Sequence, residues 1–312
     1  MNAPAAIYRG RFAPSPTGPL HFGSLVAAVA SFLAARSRNG TWLVRIEDID
    51  PPREQPGAAD SILRTLEACG LHWDEAVLYQ STRTERYREL VQTLLKNRAA
   101  YPCTCSRNDI EQYLDTPDPG ENLVYPGLCR TGPRKPGQPS AIRLRVSDID
   151  VGIEDRIQGH YQQHLPSDVG DFVLWRKDGL PAYQLAVVID DYDQRITEIC
   201  RGFDLLDNTP RQVLLQQTLG FPQPQYAHFP VVLAASGDKL SKRTGASAVD
   251  PRQSNQAISL ALGFLGLPPP ADLLGAPATE ALSWASKKWT PEGLRGQRSR
   301  SFPVQDILAA AQ

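Results

Sequence analysis

The sequence predicts an α/β fold: a mainly parallel sheet with helices between its strands, a cysteine-bearing insertion, and a short helical C-terminal region. Three observations predict it. Between residues 7 and 233, short β-prone apolar runs alternate with amphipathic helical patterns. Several of those runs end in polar or charged residues, as strands do where an open sheet meets a ligand. From residue 101 to about 139 the periodicity gives way to Pro, Gly and Cys, which reads as an insertion between two halves of a sheet domain.

Ile7 to Phe12 is the first strand, and it leads into the turn Ala13-Pro-Ser-Pro-Thr-Gly18. Leu25, Val29 and Phe32 then recur at helical spacing through Ala35, predicting a helix whose first turn carries His21, Gly23 and Ser24. A helix N-terminus presents unpaired N–H groups, so a phosphate can sit there. Gly23 leaves room for close approach, and His21 can donate to a phosphate oxygen. Taken alone, His21 reads as a surface residue of a βα turn.

Thr41 to Ile46 is a buried strand ending in Glu47-Asp48-Ile49-Asp50, with helices from about Ala58 to Cys69 and Thr82 to Arg98. Ala141 to Val146 and Asp171 to Arg176 read as strands on either side of a polar connection. Tyr183 to Asp191 is apolar with a polar exit, and periodicity does not separate helix from buried strand there. Ile196 to Cys200 is a strand leading into Arg201. Asp207 to Gly220 is a helix with a cap, a proline near its start and glycine at its end. Phe229 to Leu233 is a strand before a loop carrying Lys239 to Arg243. An amphipathic helix near Gln253 to Leu265, a Pro/Ala-rich link and a basic tail with Lys287, Lys288, Arg295, Arg298 and Arg300 complete the chain.

With 312 residues, 41% hydrophobic and 21% charged, the chain has the composition of an ordinary soluble enzyme. No apolar run reaches about 18 residues, and the N-terminus has no signal-peptide pattern, so a cytoplasmic location is expected. A net charge of −1 neither suggests nor excludes nucleic acid. Five cysteines, an odd number, argue against a disulfide scaffold. Cys69 and Cys200 read as small buried hydrophobes, and His72 and His228 as surface or strand-end residues.

Some residues invite chemistry. Lys239 and Lys242, on a Gly/Ser-flanked loop, suit a cationic clamp on a polyphosphate. Cys103-Thr-Cys105 with Cys129 is a candidate zinc site, which wants four ligands. Spacing leaves the fourth open among Tyr125, His160 and His164. Arg11 and Arg201, at strand ends facing one crevice, suit carboxylates or structural ion pairs equally. Glu47 and Asp48 read either as ligand contacts or as a turn cluster.

His21-Phe-Gly-Ser24 resembles the His-Ile-Gly-His signature of class I aminoacyl-tRNA synthetases, and Lys239-Leu-Ser-Lys-Arg243 resembles their Lys-Met-Ser-Lys-Ser signature. Arg11-Phe-Ala-Pro-Ser-Pro-Thr-Gly18 and Val44-Arg-Ile-Glu-Asp48 are similar to glutamyl-tRNA synthetases. The fuller run Gly18 to Ala28, with Tyr101-Pro-Cys-Thr-Cys-Ser106, Tyr125-Pro-Gly-Leu-Cys-Arg130 and Leu205-Leu-Asp-Asn-Thr-Pro-Arg211, resembles their shortened paralogues, the glutamyl-queuosine tRNA(Asp) synthetases. The likeness spans roughly residues 7 to 245.

This resemblance implies a Rossmann-like catalytic domain in two halves, residues 1–102 and 166–245, around a zinc-binding insertion, residues 103–165. Residues 246–312 would form a short helical region with no anticodon-binding domain. Glutamate would be bound by Arg11, Phe12, Ala13, Pro14, Ser15, Glu47, Tyr183 and Arg201, with Glu47 on the ammonium and Arg11 or Arg201 on a carboxylate. His21, Gly23, Ser24 and Lys242 would bind ATP, accompanied by Mg2+, and His21, Lys239 and Lys242 would be catalytic. One structural Zn2+ would be held by Cys103, Cys105, Tyr125 and Cys129. The implied reaction is tRNA-independent formation of glutamyl-adenylate, then transfer to queuosine at the wobble position of tRNA(Asp), by a monomer. Three departures stand out: Ser24 for the last His of the first signature, Leu240 for Met and Arg243 for the last Ser of the second. The alternatives are a truncated glutamyl-tRNA synthetase charging tRNA(Glu), and an inactive paralogue that binds glutamate or ATP.

Overall fold

A parallel sheet and a mixed sheet meet edge to edge and together make the frame of the molecule. In a computed structural model of the protein, residues 7–114, 123–233, 237 and 248–301 are described. Strand β1 (Arg9–Phe12) pairs in parallel with β2 (Thr41–Ile46), and β2 pairs with the short β3 (Leu78–Tyr79). Between β1 and β2 runs helix α1 (Phe22–Arg36), which is apolar nearly all round. A helix of that kind must be covered on more than one side. α1 lies on β1 and β2 and is capped from outside by two helices of the C-terminal region. Its run of alanines keeps these layers close. Helices α2 (Ala58–Ala68) and α3 (Thr84–Lys96) carry one apolar stripe each, and bury Ile62 and Leu66, and Tyr87, Val91 and Leu94.

Next come β4 (Ala100–Cys103), α4 (Arg107–Leu114) and β5 (Ala141–Leu144). The polar connection after β5 is a hairpin, β6 (Asp150–Asp155) and β7 (Gly159–His164). Strand β6 alternates exposed and buried residues, the period-2 signature of a half-buried strand, but its polar side chains disguise it in sequence. After the short α5 (Leu165–Asp168), β8 (Val173–Trp175) closes an antiparallel sheet in the order β4-β5-β8.

Tyr183 to Asp191, where periodicity does not separate helix from strand, lies in helix α6 (Tyr183–Asp193); every residue from Gln184 to Asp191 is buried, which removes the periodic signal. Next come β9 (Glu198–Gly202), α7 (Thr209–Leu219) and β10 (Gln225–Phe229). α7 ends on Gly220 in the left-handed region, where glycine is favoured. The second sheet runs β7-β6-β10-β9, with β10 parallel to both β6 and β9. Pro230, which has no N–H, divides the single strand expected over Phe229 to Leu233 into β10 and β11 (Val231–Leu233).

In the C-terminal region, α8 (Ser254–Phe264) and α9 (Ala278–Lys288) pack together on α1, and β12 (Ser299–Ser301) pairs with β11. Where a link and basic tail were expected, α9 is a formed helix. Lys287 and Lys288 occupy its last turn, where cations suit the helix dipole.

The two sheets join where β1 lies beside β9, tied by the Thr197 N–H donating to the Arg9 carbonyl at 2.9 Å. From β1 the chain order steps outward to β2, and from β9 it steps the other way to β10. A crevice therefore opens at the carboxyl ends of β1 and β9, where open α/β sheets bind ligands. No helix among the described residues is long and apolar enough to cross a membrane.

Candidate active site

The crevice is a cleft of about 660 Å3. The end of β1 and its turn supply Arg11, Phe12, Ala13, Pro14 and Ser15, the end of β2 supplies Glu47, α6 supplies Tyr183, and β9 supplies Arg201. His21, Gly23 and Ser24 line the same cleft from the start of α1. The turn is pinned to the sheet by the Glu47 N–H, which donates to the Pro14 carbonyl at 2.9 Å.

His21 is the N-cap of α1 rather than part of its first turn. Its Nδ1 accepts from the Ser24 N–H at 3.3 Å, so the ring proton sits on Nε2, 2.9 Å from Ser24 Oγ. A serine in place of a second histidine thus holds the first one in a single orientation. The cap satisfies one of the orphan N–H groups of the helix start.

Arg11 is not free to meet a carboxylate with its whole fork. Its Nε lies 2.9 Å and its Nη2 3.4 Å from the carboxylate of Asp191 on α6. Arg45 of β2, wholly buried, approaches the same Asp191 oxygen at 2.9 Å and Glu47 at 3.7 Å. Two cations and two anions thus balance beneath the cleft wall. Burial raises the Glu47 carboxyl, Arg45 and Arg11 pull it down, Asp191 and Asp190 push it up, and it settles at about 7.

Arg201 is held differently. Its Nε donates to His228 Nε2 at 2.9 Å and its Nη2 to Thr209 Oγ1 at 2.8 Å. Its Nη1, buried in the cleft wall, has no hydrogen-bond partner among the described residues. His228, which reads in sequence as a surface or strand-end residue, is completely buried. Burial drives its imidazole down to about 4, against the pull of Asp155, so the ring is neutral. Sequence reasoning passed over Arg45, Asp191 and His228. Only the position of Arg45 two residues before Glu47, on the same face of β2, hinted at its part.

Lys239 and Lys242 lie outside the described residues. Both flanks of their segment are placed: Val231 lines the cleft, Ala248 bridges to His21, and the Val249 N–H donates to the Leu20 carbonyl at 2.8 Å. The chain therefore leaves just after a strand that lines the cleft and re-enters beside the first signature.

Away from the cleft, Cys103 at the end of β4 meets Cys105, Tyr125 and Cys129. The three sulfur atoms lie within 4.8 Å of one another. Tyr125 Oη is 3.3 Å from Cys103 Sγ and 3.7 Å from Cys105 Sγ, and the Cys105 and Cys129 sulfurs are 3.5 Å apart. Ligands at tetrahedral zinc distances would be separated by roughly 3.5–3.8 Å, so these spacings fit a metal ion of that size. Burial opposes ionisation of Cys129, but hydrogen bonds from the Arg134 N–H, the Tyr125 hydroxyl and the Thr104 N–H outweigh it and bring the thiol to about 6. His160 and His164 are turned to carboxylates, Glu154 at 2.7 Å and Asp150 at 2.9 Å.

The family model for the catalytic domain of class I tRNA synthetases (E and Q) matches residues 8–259, and the chain belongs to that family. Among curated relatives, it is 52% identical over 292 residues to a Glutamyl-Q tRNA(Asp) synthetase of Methylococcus capsulatus, covering 93% of this chain and 94% of that one. It is 51% identical over 301 residues to the protein of the same name from Pseudomonas putida F1, covering 96% of each. Among solved structures, it is similar to a glutamate tRNA ligase from Elizabethkingia meningosepticum crystallised with its amino acid. That likeness has a TM-score of 0.80 at 26% identity and covers 96% of this chain and 68% of that one.

Proposed function

We propose that this enzyme activates glutamate with ATP, without tRNA, and transfers the glutamyl group to queuosine at the wobble position of tRNA(Asp). The observation that carries the reading is convergence. One cleft is lined by a guanidinium with an unused nitrogen, a buried carboxylate, the capped N-terminus of α1 and Val231 on one flank of the lysine segment, while Ala248 on the other flank bridges to His21. Around 50% identity to the relatives named above directs the choice of acceptor.

Glu47 pairs with the ammonium of glutamate, and Arg201 turns Nη1 toward a carboxylate, with Arg11, Phe12 to Ser15 and Tyr183 completing the wall. Since Arg11 already serves Asp191, Arg201 is the stronger candidate for the carboxylate. The α-carboxylate then attacks the α-phosphorus of ATP and pyrophosphate leaves. Charge gathers on the phosphate oxygens, where the start of α1 with His21, and Lys239 and Lys242, offset it. No protein nucleophile is needed, because holding both reactants in line supplies much of the rate. Mg2+ accompanies the ATP phosphates. In the second step a hydroxyl of the queuosine cyclopentene-diol attacks the adenylate carbonyl, and AMP leaves.

Cys103, Cys105, Tyr125 and Cys129 hold one structural Zn2+ in this reading, which fits the closed, four-ligand pattern of structural sites. The enzyme works as a cytoplasmic monomer. The test has two parts. Glutamate-dependent exchange of pyrophosphate into ATP is expected without tRNA and is expected to fall about 100-fold or more in Lys242→Ala. Labelled glutamate is expected on queuosine-containing tRNA(Asp), and its attachment is expected to be lost after periodate cleavage of the diol. Glutamylation of tRNA(Glu) alone would overturn the choice of acceptor.

A further inference from the structure

Beneath Arg201 lies a buried chain of hydrogen bonds with a defined direction. Asp155, the last residue of β6, accepts at Oδ1 from the backbone N–H groups of Ile157 (3.0 Å), Gln158 (2.9 Å) and His228 (3.1 Å). Its Oδ2 lies 2.5 Å from His228 Nδ1. On the other side of the ring, His228 Nε2 accepts from Arg201 Nε at 2.9 Å. His228 and Arg201 are direct cross-strand partners on β10 and β9, and β10 pairs with β6 as well. The sheet itself therefore fixes the order Asp155, His228, Arg201.

The donors and acceptors permit one arrangement. Arginine has only donors, so Nε2 must be bare to accept from it. The ring proton then sits on Nδ1, and a carboxylate oxygen is the group that can take it. With Nε engaged by His228 and Nη2 by Thr209, the guanidinium plane is set, and Nη1 of this cleft-lining residue is the nitrogen left without a partner among the described residues.

We infer that Asp155 and His228 are positioning residues for glutamate recognition: Asp155 selects the Nδ1–H tautomer of His228, and that tautomer orients Arg201 toward the substrate carboxylate. The inference rests on the reading of Arg201 as a glutamate contact. It makes a sharp prediction about Asp155→Asn. The three backbone N–H groups keep the amide oxygen at the Oδ1 position, so the NH2 faces His228 Nδ1. The imidazole must then accept there and carry its proton on Nε2, pointing a donor at Arg201. An Asp-to-Asn change beside a histidine can act through the wrong tautomer in this way.

The experiment measures pyrophosphate exchange by the full chain, with KM for glutamate and for ATP determined separately, alongside 15N NMR of the histidine rings. In the parent, His228 is expected as the Nδ1–H tautomer. Asp155→Asn is expected to shift it to Nε2–H and to raise the glutamate KM about ten- to hundredfold, the range for a lost hydrogen bond to a charged group. The ATP KM is expected to stay within about twofold of the parent. His228→Gln, whose amide oxygen can stand in for Nε2 as acceptor, is expected to keep most of the glutamate affinity, and His228→Leu to lose it. A folded Asp155→Asn with unchanged glutamate KM, or equal rises for glutamate and ATP, would overturn the inference. If Asp155→Asn does not fold, equal glutamate KM values for the Gln and Leu variants of His228 overturn it instead. Arg201→Ala, run in parallel, separates the two levels. An unchanged glutamate KM there removes the assignment of Arg201 itself, whereas a raised one with a silent Asp155→Asn removes only the relay.

Discussion

Replacing Asp191 by asparagine keeps the shape of α6 and removes one charge from beneath the cleft. Asp191 is buried and lies 2.9 Å from both the Arg11 Nε and the Arg45 Nη1. At that separation each attraction is worth roughly 6 kcal/mol at an effective dielectric near 20. Much of this gross attraction offsets the cost of taking three charges out of water. The variant leaves two buried guanidiniums with Glu47 and the neighbouring Asp190, and no solvent reaches the site to replace the lost negative charge. Breaking one partner of a buried pair typically costs about 3–5 kcal/mol, a large share of the roughly 5–15 kcal/mol that holds a domain together. Urea unfolding of parent and Asp191→Asn is therefore expected to show a loss of about 3–5 kcal/mol with little change in slope. The same change removes a negative neighbour of Glu47, so its carboxyl should move down from about 7. A stability loss below about 1 kcal/mol, the scale of exposed pairs, would refute the reading of a tightly coupled buried network.

Three other outcomes follow from the geometry. Glu47 is ionised above about 7 and protonated below it, so the glutamate KM in pyrophosphate exchange should rise as pH falls from 8 to 6, approaching about tenfold per unit. A flat profile, or the same profile in Glu47→Gln, counts against Glu47 as the ammonium partner. Elemental analysis should find one zinc per chain, and chelation should lower the melting temperature; a metal-free protein with an unchanged melt would exclude the site. Gly170 has φ of +67°, and an added Cβ would stand 2.5 Å from the Tyr125 carbonyl oxygen and 2.7 Å from its nitrogen. Gly170→Ala should therefore push Tyr125 from the cysteines and lose metal, at a cost of at least about 1–2 kcal/mol from the backbone conformation alone; full zinc content would argue against that coupling.

Local sequence carried the elements whose signals are local. β2 and the alternation of helix and strand from β1 to α3 follow from apolar spacing, and α7 from its proline and glycine, whereas the cap expected at its start makes no side-chain hydrogen bond. The first signature and the Cys-x-Cys turn are contiguous strings, so the start of α1 and the cysteine cluster could be read from the sequence; the second signature lies outside the described residues. Elements without a local period were harder. α6 is buried from Gln184 to Asp191, the β6–β7 hairpin is written in polar residues, and α9 looks like a link with a basic end.

What the residues determine alone is the set of groups available: a carboxylate after a buried strand, arginines at strand ends, thiols two apart. Which of them meet is decided by pairing across the sheet and by the packing of α6 against it. Residues 11, 45 and 191 share one charge balance, and 155, 228 and 201 share one proton arrangement, yet neither set has any spacing that a one-dimensional reading could detect. The physical reason is that these groups interact through space in a dry interior. There the balance of charge, and the count of donors against acceptors, depends on every neighbour at once.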